Sequence, residues 1–418
     1  MNDRIAIVGT GISGLTAAYL LSRRHELVVY EADRRIGGHS HTVEVADGAG
    51  THGVDTGFIV YNRRTYPAFC RLLDQLGVAT QPSDMSFSYR DDAADLEYGA
   101  PEPWRLFAQP RNLVRPAHWR MLGEILRFYR EAPRLLEAAE RDTDLTLADY
   151  LATGGYDRAF VEQHLYPVTA AIWSSRHAGM GEYPAAALVR FFRNHGLLSL
   201  TDRPRWRTIT GGSRRYVETL TRPFREAIRP GSPVTRIERD ASGVTVHAPT
   251  GPPERFDQVV LACHADQALP LLESPTRAEE TVLAAFPYAE AATVLHSDTS
   301  VMPRRRAAWA SWNYLRVPAA DERVVMTYDQ NRLQRLRTRR PYLVTLNHDD
   351  ALAADLVHAR MTYHHPQYDR EAVRMQSEIE ALNGQNRTYY CGAYWGYGFH
   401  EDGVASGLRV ARAFGEEL

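Results

Sequence analysis

The spacing of apolar residues changes character along the chain, and each change predicts an element. Arg4-Ile5-Ala6-Ile7-Val8 is an almost unbroken apolar run, the pattern of a strand buried on both faces. Leu15 to Arg24 follows with helical spacing, and Leu27-Val28-Val29-Tyr30 reads as a second strand. Farther on, Met85-Ser86-Phe87-Ser88-Tyr89 alternates, as do Ala291 to His296, Ala308 to Trp312, Val324 to Tyr328 and Leu343 to Asn347. From Trp104 to Phe192 the period is helical, with Leu122, Ile125, Leu126 and Tyr129 on one face and Arg120, Arg127 and Arg130 off it. A helix from Arg215 to Ala227 precedes strands at Val234, at Val244-Thr245-Val246 and from Phe256 to Ala262. A strand from Thr388 to Gly392 and a helix from Glu401 through Phe414 complete the series.

Between the first strand and the first helix lies Gly9-Thr10-Gly11-Ile12-Ser13-Gly14, and Glu31 closes the second strand twenty residues after Gly11. This is a dinucleotide-binding fingerprint in its strand, turn, helix and strand context. Gly9 allows the tight turn, Gly11 lets backbone N–H groups approach a pyrophosphate, and Gly14 lets the helix pack closely. The helix N-terminus at Ile12 and Ser13 then faces the phosphates. Glu31 is placed to accept from a ribose hydroxyl. Arg35-Ile36-Gly37-Gly38-His39 adds a glycine pair, where a nicotinamide dehydrogenase continues into another βα unit. The expected fold class is α/β (α+β overall), a Rossmann-type domain with a discontinuous second domain of mixed sheet plus helices.

Composition narrows this further. A chain of 418 residues has room for two domains, and a formal charge of −2 gives no reason to expect a nucleic-acid partner. The chain contains no lysine, so its 49 basic residues are all arginine; a GC-rich genome accounts for that. Cys70, Cys263 and Cys391 are too widely spaced for a disulfide framework or a zinc motif, and no metal is expected. The first strand begins about four residues in, which leaves no room for a signal peptide. No apolar run reaches the ~18 residues of a membrane span. A cytoplasmic protein, at most peripheral to a membrane, is expected.

The glycine pair followed by a basic residue resembles flavoproteins of the amine-oxidase and phytoene-desaturase superfamily. Thr210-Gly211-Gly212-Ser213, the strand at Val234, and Gly392 followed by Glu401-Asp402-Gly403-Val404 extend that resemblance. The strand ending Ala262-Cys263-His264 departs from its usual Ala-Thr-Gly. The resemblance implies FAD, bound by Gly9, Gly11, Ile12, Ser13, Gly14, Glu31, Ala32, Gly37, Gly38, His39, Gly57, Phe58, Val234, Gly392, Gly403 and Val404. It also implies an FAD domain of residues 1–80, 207–265 and 380–418, with 81–206 and 266–379 forming the substrate domain. The last helix would aim its N-terminus at the flavin pyrimidine edge, where reduced flavin is anionic.

Ala171-Ile172-Trp173-Ser174-Ser175, Arg190 to Leu198, Tyr328 to Gln334 and Phe399-His400-Glu401-Asp402-Gly403 more specifically resemble a family of bacterial FAD-dependent amine-oxidase-like proteins. Members are often found beside cyclopropane-fatty-acid-synthase-like methyltransferases. The resemblance implies hydride transfer to flavin N5 from a hydrophobic or lipid substrate, a fatty acyl chain. The alternatives are a flavin amine oxidase and a redox-neutral fatty-acid double-bond isomerase. Many amine oxidases of the superfamily place a lysine near N5 through a water, and arginine is a poor substitute for it. No second fingerprint marks an NADPH site, so the electron acceptor is open: oxygen, a quinone, a protein or the product itself.

The candidate catalytic residues are Tyr394, Trp395 and His400 in an aromatic loop before the last helix, Trp206 ahead of the Gly211-Gly212 pair, and Tyr61 after Asp55-Thr56-Gly57-Phe58. They either wall an apolar tunnel or pack the domain interface. His400 is either an acid–base group or a histidine bonded to nearby backbone. His39 and His41 are phosphate-facing or structural, Trp173 and His177 sit at a helix end, and His364-His365 before Pro366 reads as a loop. Two arginine-rich stretches, Trp104 to Arg130 and Arg332 to Arg340, are either solvated faces or contacts with anionic lipid.

Overall fold

The structure, a computed structural model, describes all residues except 1, 49, 139–144, 174–176 and 318–323, and of 138, 177 and 178 the backbone alone. Ser174, Ser175 and the His177 side chain therefore lie outside the described residues. Among those described, no helix is long and apolar enough to cross a membrane.

Five parallel strands form one sheet, in the spatial order Ile228–Arg229, Glu26–Tyr30, Arg4–Val8, Gln258–Leu261 and Thr388–Tyr390. The register sets Ile5 against Leu27 and Ile7 against Val29. Ile5, Ala6 and Ile7 are wholly buried, which is why that strand carries no polar alternation. The first helix, Ile12–Leu21, buries nine of its ten residues and so shows no amphipathic stripe. The C-terminal helix, His400–Ala413, lies along it, and glycine makes the approach feasible. A Cβ at Gly403 would stand 2.6 Å from Ile12 Cγ2, and one at Gly407 2.5 Å from the Ser13 carbonyl oxygen.

A second sheet has seven strands in the order Val357–Pro366, Tyr288–His296, Leu343–Leu346, Val325–Asp329, Trp312–Arg316, Phe87–Asp91 and Leu96–Ala100. Neighbours are antiparallel except Trp312–Arg316 and Phe87–Asp91. Tyr98, Tyr89 and Tyr314 stack across three adjacent strands, with ring centroids 5.6 and 5.7 Å apart. Two expectations are corrected here. The strand expected at Ala308 starts at Trp312, because the Asn313 amide bonds both the N–H (2.9 Å) and the carbonyl (2.7 Å) of Ala310 and holds that segment in a turn. His364 and His365 are not in a loop; they pair with Glu290 and Ala289 on the sheet's edge strand, where Pro366 breaks no ladder.

The arginine-rich helix, Pro116–Glu131, buries His118, Met121, Ile125 and Phe128. Its inner face is thus rotated from the expected one, and Leu126 points to solvent. The short strands Tyr61–Asn62, Trp206–Ile209 and Thr80–Pro82 form a small sheet with Trp206–Ile209 in the middle. A buried junction ties distant parts of the chain together at Asp55. Its carboxylate accepts from Thr42 Oγ1 (2.6 Å), from the Ser213 N–H and hydroxyl (2.8 Å each) and from Gln334 Nε2 (3.1 Å). The Asp55 N–H in turn donates to Gln334 Oε1 at 2.8 Å. Burial nonetheless pushes the Asp55 carboxyl up to about 6.

Candidate functional site

The turn after the first strand forms one end of a long cavity. Gly9 has φ +108°, and a Cβ there would lie 2.8 Å from the Ala262 carbonyl oxygen. A Cβ on Gly14 would lie 2.2 Å from the Gly9 carbonyl oxygen, so that residue is required by packing. Gly11 differs: a Cβ there meets no protein atom within 4 Å, and its face opens into the cavity. The helix that follows has no side-chain cap and no acid in its first turn, which leaves its N–H groups for an anion.

Glu31 is held in place by the protein itself. One oxygen accepts from the Thr10 N–H at 2.9 Å and from the Thr10 hydroxyl, while the other accepts from the Asp33 N–H at 2.9 Å. Thr10 Oγ1 also accepts from the Gly37 N–H at 3.1 Å, which fastens the glycine pair to the first turn. Ile12, Ser13, Ala32, Gly38, Gly57, Phe58, Val234 and Gly392 line the same cavity. Gly14, Gly403 and Val404 lie behind it, in the packing of the two helices.

His39 lies at the centre of an imidazole and phenol seam. Its ring centroid is 5.0 Å from Tyr363, 5.4 Å from His365 and 6.2 Å from His264. Burial drives His39 and His365 down to about 3 and His264 to about 4, so all three are neutral. His39 Nε2, His264 Nδ1 and His365 Nδ1 are buried without a hydrogen-bond partner. Buried polar atoms left open beside a capless helix end suit the polar parts of a bound dinucleotide. Among the described residues, no group of His, Cys, Asp or Glu is arranged to hold a metal ion.

Beyond this cradle the cavity, about 800 Å³ in all, runs on between the second sheet and the helices. Phe128, Tyr129, Phe160, Leu165, Val168, Phe191, Phe192 and Trp206 give it apolar and aromatic walls, with Trp312 and Tyr328 from the sheet. The charged residues of the lining are few. Glu31 and Arg35 belong to the cradle; beyond it, among the described residues, stands Arg203 alone. Arg203 Nε–H donates to the Ser199 carbonyl at 2.9 Å, and its charge opposes protonation of His164. Among the described residues the chamber lining contains no carboxylate.

His400 begins the C-terminal helix and stacks on Phe58 at 3.5 Å. Its Nε2 lies 3.0 Å from Ser40 Oγ and 3.1 Å from the Tyr216 hydroxyl, which are bonded to each other. It is thus fixed by side chains rather than by nearby backbone, and burial keeps the ring neutral. The adjacent acids hold the local backbone. Glu401 accepts the N–H groups of Ala68 and Phe69 at 2.9 Å each, and Asp402 accepts that of Phe399 at 2.9 Å.

Of the other aromatic candidates, Tyr394 and Trp206 line the cavity, and the Tyr394 hydroxyl has no partner. Trp395 and Tyr61 do not contribute to that wall, which corrects the tunnel expected of them. The single turn Ala393–Trp395 sends Trp395 against Phe286, with ring centroids 5.2 Å apart. Tyr61 is buried against Tyr66 and Phe69. His41 bonds the Tyr363 hydroxyl at 2.8 Å and lies outside the lining. Arg203, Tyr288 and Tyr363 were not singled out from the sequence, and His365 was read there only as part of a loop.

Comparison with known proteins accords with this geometry. Residues 12–297 match the family of flavin containing amine oxidoreductases. No curated protein sequence matches the chain. Solved structures align over nearly the whole length at low identity. A putrescine oxidase bound to putrescine has a TM-score of 0.71 at 16% identity, covering 99% of both chains. Cyclohexylamine oxidase from Brevibacterium oxydans IH-35A has 0.70 at 17%, covering 99% of this chain and 98% of that one. A CLA-producing fatty acid isomerase from P. acnes has 0.69 at 16%, covering 99% of both.

Proposed function

Given that the chain belongs to the flavin containing amine oxidoreductase family, we propose that this FAD-dependent oxidoreductase takes hydride from a fatty acyl chain laid in the apolar chamber. Bound FAD supplies a two-electron acceptor at N5. The protein supplies position and electrostatics. The capless helix end at Ile12 and Ser13 would hold the pyrophosphate, Glu31 the ribose, and the neutral seam of His39, His264 and His365 the remaining polar groups.

The fold serves amines in two of its relatives and a fatty acid in a third, so the substrate has to be argued from the walls. The observation that carries the reading is the charge of the lining. Among the described residues an ammonium group entering this chamber meets no carboxylate and one arginine, and an uncompensated buried charge costs several kcal/mol, on the order of 3–5. An acyl chain instead gains about 0.8 kcal/mol for each methylene taken from water. Nor does the chain contain a lysine to stand near N5.

The test is anaerobic flavin absorbance of the holoprotein mixed with methyl-branched or unsaturated fatty acids, with putrescine and cyclohexylamine as controls. Bleaching by the acyl compounds alone is the expected result. Bleaching by the amines alone overturns the reading. Migration of a double bond without net bleaching would keep the acyl substrate and replace oxidation by isomerisation.

A further inference from the structure

Among the described residues six large apolar side chains stand more than half exposed, and five of them lie between residues 104 and 126. They are Trp104, Leu113, Val114, Trp119 and Leu126, ranging from 51% exposed at Trp119 to 80% at Val114. Trp119 and Leu126 are seven residues apart on the arginine-rich helix and therefore share its outer face. Trp119 Nε1 donates to the Leu113 carbonyl at 2.9 Å, and the Trp119 ring lies 5.1 Å from Phe107. The segment before the helix and the helix itself thus present one patch.

The same segment carries an excess of cations, and Arg105, Arg111 and Arg127 are ion-paired while Arg115, Arg120 and Arg130 are held only loosely. From residue 102 to 134 there are seven arginines and three carboxylates. Arg120 and Arg130 are 66% and 70% exposed, and their ion pairs are long, 3.8 Å to Asp157 and 3.3 Å to Glu131. Arg115 donates to a backbone carbonyl of Ala94. Exposed tryptophan and aliphatic side chains among loosely paired guanidinium groups match a layer that is apolar below and anionic above. The inner face of the same helix carries Phe128 and Tyr129, which line the chamber.

We propose that this face docks on the surface of an anionic phospholipid bilayer. Trp104, Val114 and Trp119 enter the headgroup and acyl boundary, and Arg115, Arg120 and Arg130 meet the phosphates. The chamber wall then rests on the bilayer. The inference stands on the patch and not on the substrate reading, since a protein that oxidised something else would dock in the same way.

The experiment is flotation of the intact holoprotein with vesicles of phosphatidylcholine alone or mixed with phosphatidylglycerol, at low and high salt. The protein is expected to float with the mixed vesicles and to be released by salt. Trp119→Ala with Val114→Asp, and separately Arg115→Gln with Arg120→Gln, are each expected to lower the partition coefficient by roughly tenfold or more. Flavin content and thermal midpoint should not change. Leu200→Ser, at the exposed apolar position outside the patch, should float like the wild type. Failure to float, equal flotation of the patch variants, or equal loss in Leu200→Ser each overturns the proposal. So does a solution dimer that shields Trp119, because a second copy would then be the occupant.

Discussion

Two glycines of the fingerprint, three residues apart, should fail in different ways when each is given a methyl group. In Gly14→Ala the new Cβ would lie 2.2 Å from the Gly9 carbonyl oxygen and 2.9 Å from the Ala262 Cβ. Neither neighbour is the end of a flexible side chain, so the helix must move off the strand. Such overpacking costs about 1–3 kcal/mol, offset in part by up to ~1 kcal/mol of helix propensity. With an unfolding entropy of about 2.1 cal/mol/K per residue, a net 2 kcal/mol is worth only about 2 °C over 418 residues. The apoprotein midpoint should fall by about that much, and FAD binding should weaken because the turn has shifted. In Gly11→Ala the backbone already has φ −63° and ψ 171°, open to any residue, and the methyl meets no protein atom. Apoprotein stability should change by less than ~1 kcal/mol, the cost of alanine at a helix N-cap. The methyl would instead stand in the open cavity where a bound pyrophosphate would approach. Losing one charge-assisted hydrogen bond, about 1.5–3 kcal/mol, weakens FAD by roughly tenfold to a hundredfold. Scanning calorimetry of both apoproteins and fluorescence titration with FAD separate the two effects. If Gly11→Ala keeps wild-type FAD affinity, or loses as much apoprotein stability as Gly14→Ala, the assignment of ligand-facing and packing glycines is refuted.

Two further outcomes follow from the chamber and the seam. Arg203→Gln should weaken a free fatty acid by about tenfold, the cost of one hydrogen bond to a charged group, while leaving its methyl ester unchanged; equal losses for acid and ester, measured by flavin fluorescence quenching, would sink a headgroup role. The second concerns acid stability. Unfolded histidine protonates near 6.5, whereas His39 and His365 are held at about 3 and His264, His195 and His164 at about 4. Stability from these groups is therefore complete above about 6.5 and lost as pH falls towards 4, because the unfolded chain binds protons that the folded one refuses. Asp55 and Asp402, raised to about 6 and 7, act in the opposite direction but are fewer. The thermal midpoint should fall between pH 6.5 and 4.5, and a flat or rising profile would contradict this account.

What could be read from the chain alone divides along a physical line. The cradle was legible because much of what constrains it is local: Gly14 packs on Gly9, and Glu31 bonds Thr10 and Asp33, although Gly9 also abuts Ala262 at the end of a distant strand. The seam was not, because His39, His264 and His365 come from three distant stretches and meet only through the two sheets. Pro366 argued for a loop at the strand end that carries His365, but a proline that breaks a central ladder is harmless at the end of an edge strand. The aromatic loop was legible in composition but not in direction. Tyr394 and Trp395 pack on each other and on Phe286, and of the two only Tyr394 reaches the cavity. On the arginine-rich helix the period was right and the phase was not. Met121 and Phe128 take the inner face, and Leu126 lies on the face now assigned to lipid.

The order of the strands in the first sheet bears on how the protein is made. Strands near residues 4, 26 and 258 must wait for Thr388–Tyr390, and the first helix stays uncovered until His400–Ala413 lies along it. During synthesis the second sheet and the helices around the chamber can collapse first. The cofactor cradle, although its first strand comes early, is completed only once Thr388–Tyr390 and His400–Ala413 are in place. Flavin capture therefore waits on the helix His400–Ala413, far downstream of the turn that opens the cradle.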